Sequence, residues 1–148
     1  MNMFLHNIND AQVALEDTIQ APQFVDAGYV KKFDRVIANP PFSQNYSREA
    51  MEFPQRFRYG FTPEKGKKAD LMFAQHMIAS LNDKGLMATV MPHGVLFRGG
   101  AEKAIREGII RANIIEAVIS LPPNLFYGTG IPACILVINK SLSLIHIS

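Results

Sequence analysis

The sequence predicts an α/β domain built on a mainly parallel sheet, and three observations carry that expectation. Segments of strand and helix character alternate from residue 33 onward. One strand-like run, residues 86–91, is continuously apolar up to Pro92, the pattern of a strand covered on both faces. The 148 residues are 48% hydrophobic and 19% charged, enough for one core, too few for two, and too apolar for disorder.

The elements follow in order. Residues 1–8 are apolar and read as the end of a helix, followed by a turn over 7–10 and a short β-like stretch at 12–15, so the chain is expected to start in mid-fold. Phe33–Ala38 reads as a strand, preceded by Lys31 and Lys32 and stopped by Asn39-Pro40-Pro41, where two prolines offer no N–H to a ladder. Residues 43–68 turn polar and aromatic and read as a long loop. Residues 69–81 are helical in pattern: Leu71, Ala74, Ile78 and Leu81 recur at three, four and three, Asp70 suits the first turn, and Gly85 lies beyond the end. Residues 86–91 form a strand, 99–111 a second helix, and 114–121 and 133–138 two more strands separated by a proline-rich connection. The final SLSLIHIS, residues 141–148, loses this pattern and is expected to be a truncation or read-through artefact rather than folded structure, leaving 1–140 as the domain.

Composition excludes several classes of function. A formal charge of +2 is too small to argue for a polyanion partner by itself, so any such contact must be local. A lone cysteine, Cys134, cannot form an internal disulfide and sits in an apolar run, so a buried thiol in a cytoplasmic protein is expected. Zinc lacks ligands: His76 and His93 have no partner at ligand spacing and read as structural. No run approaches the roughly 18 apolar residues of a membrane span, and the N-terminus lacks the order of a signal peptide, so no membrane partner is expected.

The most informative residues are Asn39-Pro40-Pro41-Phe42 at the end of a strand, because ligands of open parallel sheets bind beyond the carboxyl ends of strands. Asn39 offers an acceptor and a donor, Pro40 a carbonyl without an N–H, and Phe42 an aromatic face. Such a set can grip a planar group bearing an amino substituent. Two acceptors on that amine would draw it toward tetrahedral geometry and restore the nucleophilicity that conjugation removes. Turn chemistry is the plainer alternative for Asn-Pro-Pro. The basic residues Arg56, Arg58, Lys65, Lys67 and Lys68, interleaved with Phe57, Tyr59 and Phe61, are either a solvated face or candidates for DNA phosphate contact.

FDRVIANPPF resembles the catalytic segment of amino-group DNA methyltransferases that make N6-methyladenine. With KADLMFAQHMI, GLMATVMPHGVLFRGGAEKAIR and LPPNLFYGTGIPACILVINK, the chain more closely resembles the modification subunit of type I restriction-modification systems, over roughly residues 1–140. The resemblance implies a Rossmann-like, S-adenosylmethionine-dependent methyltransferase sheet, incomplete at its N-terminal side. It implies that Asn39 and the Pro40 carbonyl hold the adenine amino group within the Asn39-Pro40-Pro41-Phe42 motif, and that Phe42 stacks on a flipped base. It suggests Phe126 as a second stacking aromatic, with Tyr127 as the adjacent alternative. Asp17, in Glu16-Asp17-Thr18-Ile19, resembles the acid that contacts the cofactor adenine, though it also suits a turn cap; Asn39 and Phe73 are the other cofactor-side positions, Phe73 serving equally as core. The family's glycine-rich cofactor loop has no counterpart, since Gly28 is the single glycine before Asn39. The implied partners are double-stranded DNA, a specificity subunit and a restriction subunit. Two rivals stand beside this reading: a non-catalytic piece acting as a DNA- or partner-binding module, and methylation of a protein or RNA amino group.

Overall fold

A computed structural model describes residues 10–147, with side chains to residue 144. The helix end expected over 1–8 and most of the turn over 7–10 lie outside the described residues. Residues 12–15 are not a strand: Val13 and Leu15 are exposed, and no ladder partner lies beside them among the described residues. The first regular element is instead a small antiparallel hairpin, β1 (Val25–Asp26) and β2 (Tyr29–Val30). Its two-residue turn places Ala27 at φ 49° and Gly28 at φ 83°, the left-handed pair that matches the twist of a tight hairpin.

The main sheet holds β3 (Phe33–Ala38), β4 (Leu81–Pro92), β5 (Ile115–Ser120) and β6 (Ala133–Asn139) in the order β3-β4-β6-β5. β3 and β4 are parallel, whereas β6 is antiparallel to both β4 and β5. The sheet is therefore mixed, which corrects the expectation of a mainly parallel one. A parallel return needs a crossover, usually a helix, and the connection between β5 and β6 contains none, so the chain doubles back and enters antiparallel between two co-directional strands.

Helix α1 (Asp70–Ala79) joins β3 to β4, and α2 (Ala101–Arg111) joins β4 to β5. Both contribute to one core, in which Leu71, Ala74, Met77, Ile78, Ile105 and Ile109 meet Met87, Met91, Leu136 and Ile138 of the sheet. Successive right-handed crossovers advancing across a sheet in one direction put their helices on the same face. The opposite face carries no helix among the described residues. Leu86, Ala88 and Val90 are only half-buried there, and Ile37 is 84% exposed, so β4 is not covered equally on both faces as its apolar run had implied. The expected spacing of Leu71, Ala74 and Ile78 does define a buried helix face, but α1 stops at Ala79, and Leu81 opens β4 instead.

The sheet-distal side of α1 is covered as well. Met72 packs with Ile19, Phe57 and Ala69, so the segment 43–68, irregular except for a 3-10 turn at Pro54–Phe57, acts as a lid on the helix. Gln75, fully buried, accepts from Tyr59 N at 3.1 Å and donates to the Gly60 carbonyl at 2.9 Å. Gly108 of α2 leaves room for the Tyr59 ring, which a Cβ there would approach to 2.8 Å.

Arg56 is the main fastening of this cover. It is 4% exposed and donates to the carbonyls of Phe53 (2.9 Å), Thr18 (2.8 Å), Glu52 (2.9 Å) and Ile19, and to His76 Nδ1 at 2.8 Å. Arginine has no acceptor, so that imidazole nitrogen must be the unprotonated one. Burial, reinforced by the Arg56 charge, pushes His76 down to about 4. Burial also lowers Arg56, to about 10, which leaves it protonated at neutral pH. Arg56 is therefore no phosphate ligand, a correction to its place in the basic group: its guanidinium is spent on backbone.

Beyond β6, Lys140–Ile147 forms 3-10 turns, with Asn113 Nδ2 donating to the Leu142 carbonyl at 3.1 Å. Cys134 is fully buried in β6, and burial raises its thiol pKa.

Two outcomes follow from the Arg56 cluster. Arg56→Met should orphan several carbonyls at a cost of about 1–3 kcal/mol for each one left buried, enough to lower the urea midpoint severely; a melt like the parent's would contradict this role. Between about 6.5 and 4 the unfolded chain binds a proton at His76 that the folded chain refuses, so stability falls as pH drops through that window. His76→Asn, which keeps an acceptor for Arg56 and cannot protonate, should flatten that part of the urea-midpoint profile.

Candidate functional site

Three connections meet at the edge of the sheet where β3, β4 and β5 end: residues 39–43, the turn His93–Leu96, and residues 121–132. His93 N donates to the Pro132 carbonyl at 2.9 Å and Leu121 N to the Ala133 carbonyl at 3.0 Å, which ties the third connection down. Between the first and third lies a cleft of about 450 Å³. Asn39, Pro40, Pro41, Phe42 and Ser43 line one side, and Phe126, Tyr127, Thr129 and Ile131 the other. Candidates more than 80 residues apart in the chain thus face one another. Phe42 and Phe126 touch edge to face, with ring centroids 6.2 Å apart at 79°, while Tyr127 is wholly exposed. Pro40 and Pro41 bring no N–H, so the backbone between Asn39 and Phe42 presents acceptors only.

The turn after Phe42 is held from α1. Ser43 adopts φ 54°, and its N–H donates to Asp70 Oδ1 at 3.1 Å. Gln44 Nε2 donates to the Phe42 carbonyl at 3.0 Å, and the Gln44 carbonyl accepts from Ala69 N, also at 3.0 Å. Asp70 is 2% exposed and pairs through Oδ2 with Arg98 Nη2 at 3.1 Å. Arg98 Nε in turn meets Glu102 at 2.8 Å, and Lys68 lies 3.7 Å from the same carboxylate. Burial raises the Asp70 pKa, against the opposing pull of the Ser43 N–H and of Arg98.

The other sequence candidates fall elsewhere. Asp17 is exposed, and its Oδ1 accepts from Ile19 N (3.1 Å) and Gln20 N (3.0 Å), the turn-capping arrangement; it does not line the Asn39 cleft. Phe73 is half-buried and packs against both hydrophobic clusters. Of the basic residues, Lys65 and Lys67 are exposed, Arg58 lies over the Tyr59 ring at 5.4 Å, and Lys68 faces Glu102. His76 serves Arg56, and no group of three potential metal ligands occurs among the described residues. A larger cavity, about 620 Å³, lies at the opposite end of the sheet beside the carboxyl ends of both helices. Two of its cations donate to carbonyls, Arg56 to those named above and Lys140 Nζ to Leu81 O at 2.9 Å, and none of the cleft residues reaches it. Sequence reasoning missed Thr129, Ile131 and the Ser43–Asp70–Arg98 chain. Asp70 was visible only as a residue suited to a first helical turn.

The N-6 DNA methylase family matches residues 1–144. Among curated proteins, the type I restriction enzyme MpnII methylase subunit of Mycoplasma pneumoniae is 35% identical over 95% of the chain, and the MjaVIII methylase subunit of Methanocaldococcus jannaschii 36% identical over 95%. The chain spans 28% and 26% of their respective lengths. Among solved structures, the methyltransferase subunit of a type I restriction-modification system from Streptococcus thermophilus superposes with a TM-score of 0.84 at 35% identity, covering 94% of this chain and 30% of that one. The type I restriction enzyme EcoKI M protein gives 0.71 at 26% identity, covering 94% and 27%. With the profile running through both cleft walls and the superposed sheet carrying them, the chain belongs to the N-6 DNA methylase family.

Proposed function

We propose that this chain carries the target-adenine half of a type I adenine-N6 DNA methyltransferase subunit. The observation behind this reading is the cleft in which Asn39 and the acceptor-only Pro40-Pro41 backbone lie beside the Phe42–Phe126 pair. An adenine amino group there would donate one hydrogen to Asn39 Oδ1 and one to the Pro40 carbonyl. Both bonds strengthen as the nitrogen loses conjugation with the ring, so they favour the transition state over the ground state. The amine needs no prior deprotonation, which suits a cleft lined by no carboxylate or imidazole. Positioning is then the main contribution of these residues.

The closed aromatic pair has to give way to a base. An edge-to-face contact is worth about 0.5–1.5 kcal/mol, and stacking a base on an aromatic ring about 1–3 kcal/mol, so exchange of one for the other is favourable or neutral. Tyr127, fully exposed, is free to follow Phe126. Duplex DNA is the proposed substrate, with base extrusion supplying the flipped adenine. Exposed Lys65 and Lys67, with Arg58, remain the phosphate candidates of the basic segment.

The residues proposed for S-adenosylmethionine do not assemble into one site. Asp17 commits an oxygen to its own turn, Phe73 is held between two clusters, and neither lines the cleft with Asn39. The methyl donor would supply an electrophilic carbon, and of its candidate residues Asn39 is the one that lines the cleft. Specificity and restriction subunits are the proposed partners of a complete subunit carrying these residues. The dispersal of these candidates favours the second reading, a non-catalytic piece acting as a DNA- or partner-binding module.

Titration with a fluorescein-labelled oligonucleotide carrying adenine opposite an abasic site separates the readings. The parent chain should raise the anisotropy of the probe, Phe42→Ala should weaken binding about tenfold, and an unlabelled oligonucleotide with thymine in place of the adenine should compete poorly; equal competition by all four bases would overturn target-adenine recognition. In a complete subunit carrying these residues, Asn39→Ala should abolish methylation while donor binding persists.

A further inference from the structure

We propose that Asp70 is the positioning residue of the cleft: with one carboxylate oxygen on the Ser43 N–H and the other on Arg98, it fixes the turn that presents Phe42 opposite Phe126. The purpose of that placement rests on the target-adenine reading; its geometry stands without it.

Phe42 is the last residue of a segment whose freedom is already curtailed. Pro40 and Pro41 fix two φ angles before it, and the chain turns at Ser43 directly after it. Ser43 sits at φ 54°, a region that an L side chain other than asparagine or aspartate adopts when its surroundings hold it there. What holds it is the carboxylate of Asp70 at 3.1 Å. Asp70 occupies the first position of α1, where the free N–H groups favour an anion, and its burial leaves no water to take over the contact.

The carboxylate is itself fixed from the far side of the edge. Arg98 lies across Gly94, where a Cβ would collide with the guanidinium, and Arg106 donates to the carbonyls of both Val95 and Arg98 at 3.0 Å. A rigid path thus runs from α2 through Arg98 and Asp70 to Ser43 and the ring beside it. An acid serving only to join the two helices would place both oxygens on Arg98. Asp70 instead divides them, giving one to the backbone of a turn that lines the cleft.

The test uses the whole chain labelled with 4-fluorophenylalanine, the Phe42 resonance being assigned by its loss in Phe42→Leu. Asp70→Asn retains an acceptor for Ser43, and Asp70→Ala does not. The alanine variant should shift the Phe42 resonance and weaken binding of the labelled adenine oligonucleotide about tenfold, while the asparagine variant stays within about twofold. Adding Ser43→Gly to Asp70→Ala should recover part of the loss, because glycine holds a positive φ unaided. A folded Asp70→Ala chain with unchanged resonance and affinity, or equal losses in Ala and Asn, would overturn the assignment. A second measurement needs no variant: in the parent chain the Ser43 amide proton should follow the titration of the Asp70 carboxyl, with Arg98, Glu102 and Lys68 as its charged neighbours, and an amide indifferent to that titration would equally overturn it. If the parent chain fails to bind the oligonucleotide, the target-adenine reading falls, and the fluorine resonance still decides the role of Asp70.

Discussion

A helix buried on both sides sets the terms for everything around it. α1 meets the sheet through Leu71, Ala74 and Ile78 and the cover segment through Met72, so the segment that follows the Asn39 motif is bound to lie flat against it. A cover without a ladder leaves carbonyls unsatisfied in a dry environment, which is expensive unless side chains answer them. Arg56 and Gln75 do so. One guanidinium reaches residues 18, 19, 52 and 53, and one amide reaches 59 and 60, so two side chains replace what a sheet edge would otherwise supply. Because α1 cannot move, its N-terminus is a fixed point, and the turn at Ser43 is anchored to that point.

The chemistry of the cleft comes from what is missing as much as from what is present. Two consecutive prolines strip the donors from one wall, and no carboxylate or imidazole lines it, so the surface there is electronegative without being charged. A neutral amine is the guest that such a wall prefers: it brings hydrogens to unpaired acceptors and no charge to be desolvated. The charges lie behind the wall instead, in the Asp70–Arg98–Glu102 array, where they act on backbone geometry.

The elements themselves were legible because their signals are local. The stop after Ala38, the spacing of Leu71, Ala74 and Ile78, and the run ending at Pro92 each needed only neighbouring residues to interpret. The direction of β6 was not, since 133–138 reads equally well either way and only the missing crossover helix decides it. The NPPF motif stood out on its own terms, and its companions at 126 and 127 came through resemblance; the cleft then brought both sets together. Arg56 misled because a basic residue among aromatics has the same pattern whether its guanidinium faces water or five buried acceptors. Asp70 was hidden for the converse reason, as its helical position explained it too easily.

β3 is the outermost strand of its sheet among the described residues, with β4 as its one neighbour. An open ladder of that kind invites a second chain to add on, the first step of uncontrolled self-association. Here the invitation is short. Lys31, Lys32, Asp34 and Arg35 charge one end, and Pro40 and Pro41 close the other, leaving Val36, Ile37 and Ala38 as the unguarded stretch. The prolines that shape the cleft therefore also act as gatekeepers, and an exchange of either for a residue with an N–H would lengthen the sticky edge as well as alter the wall: colloidal behaviour and chemistry are written into the same two positions.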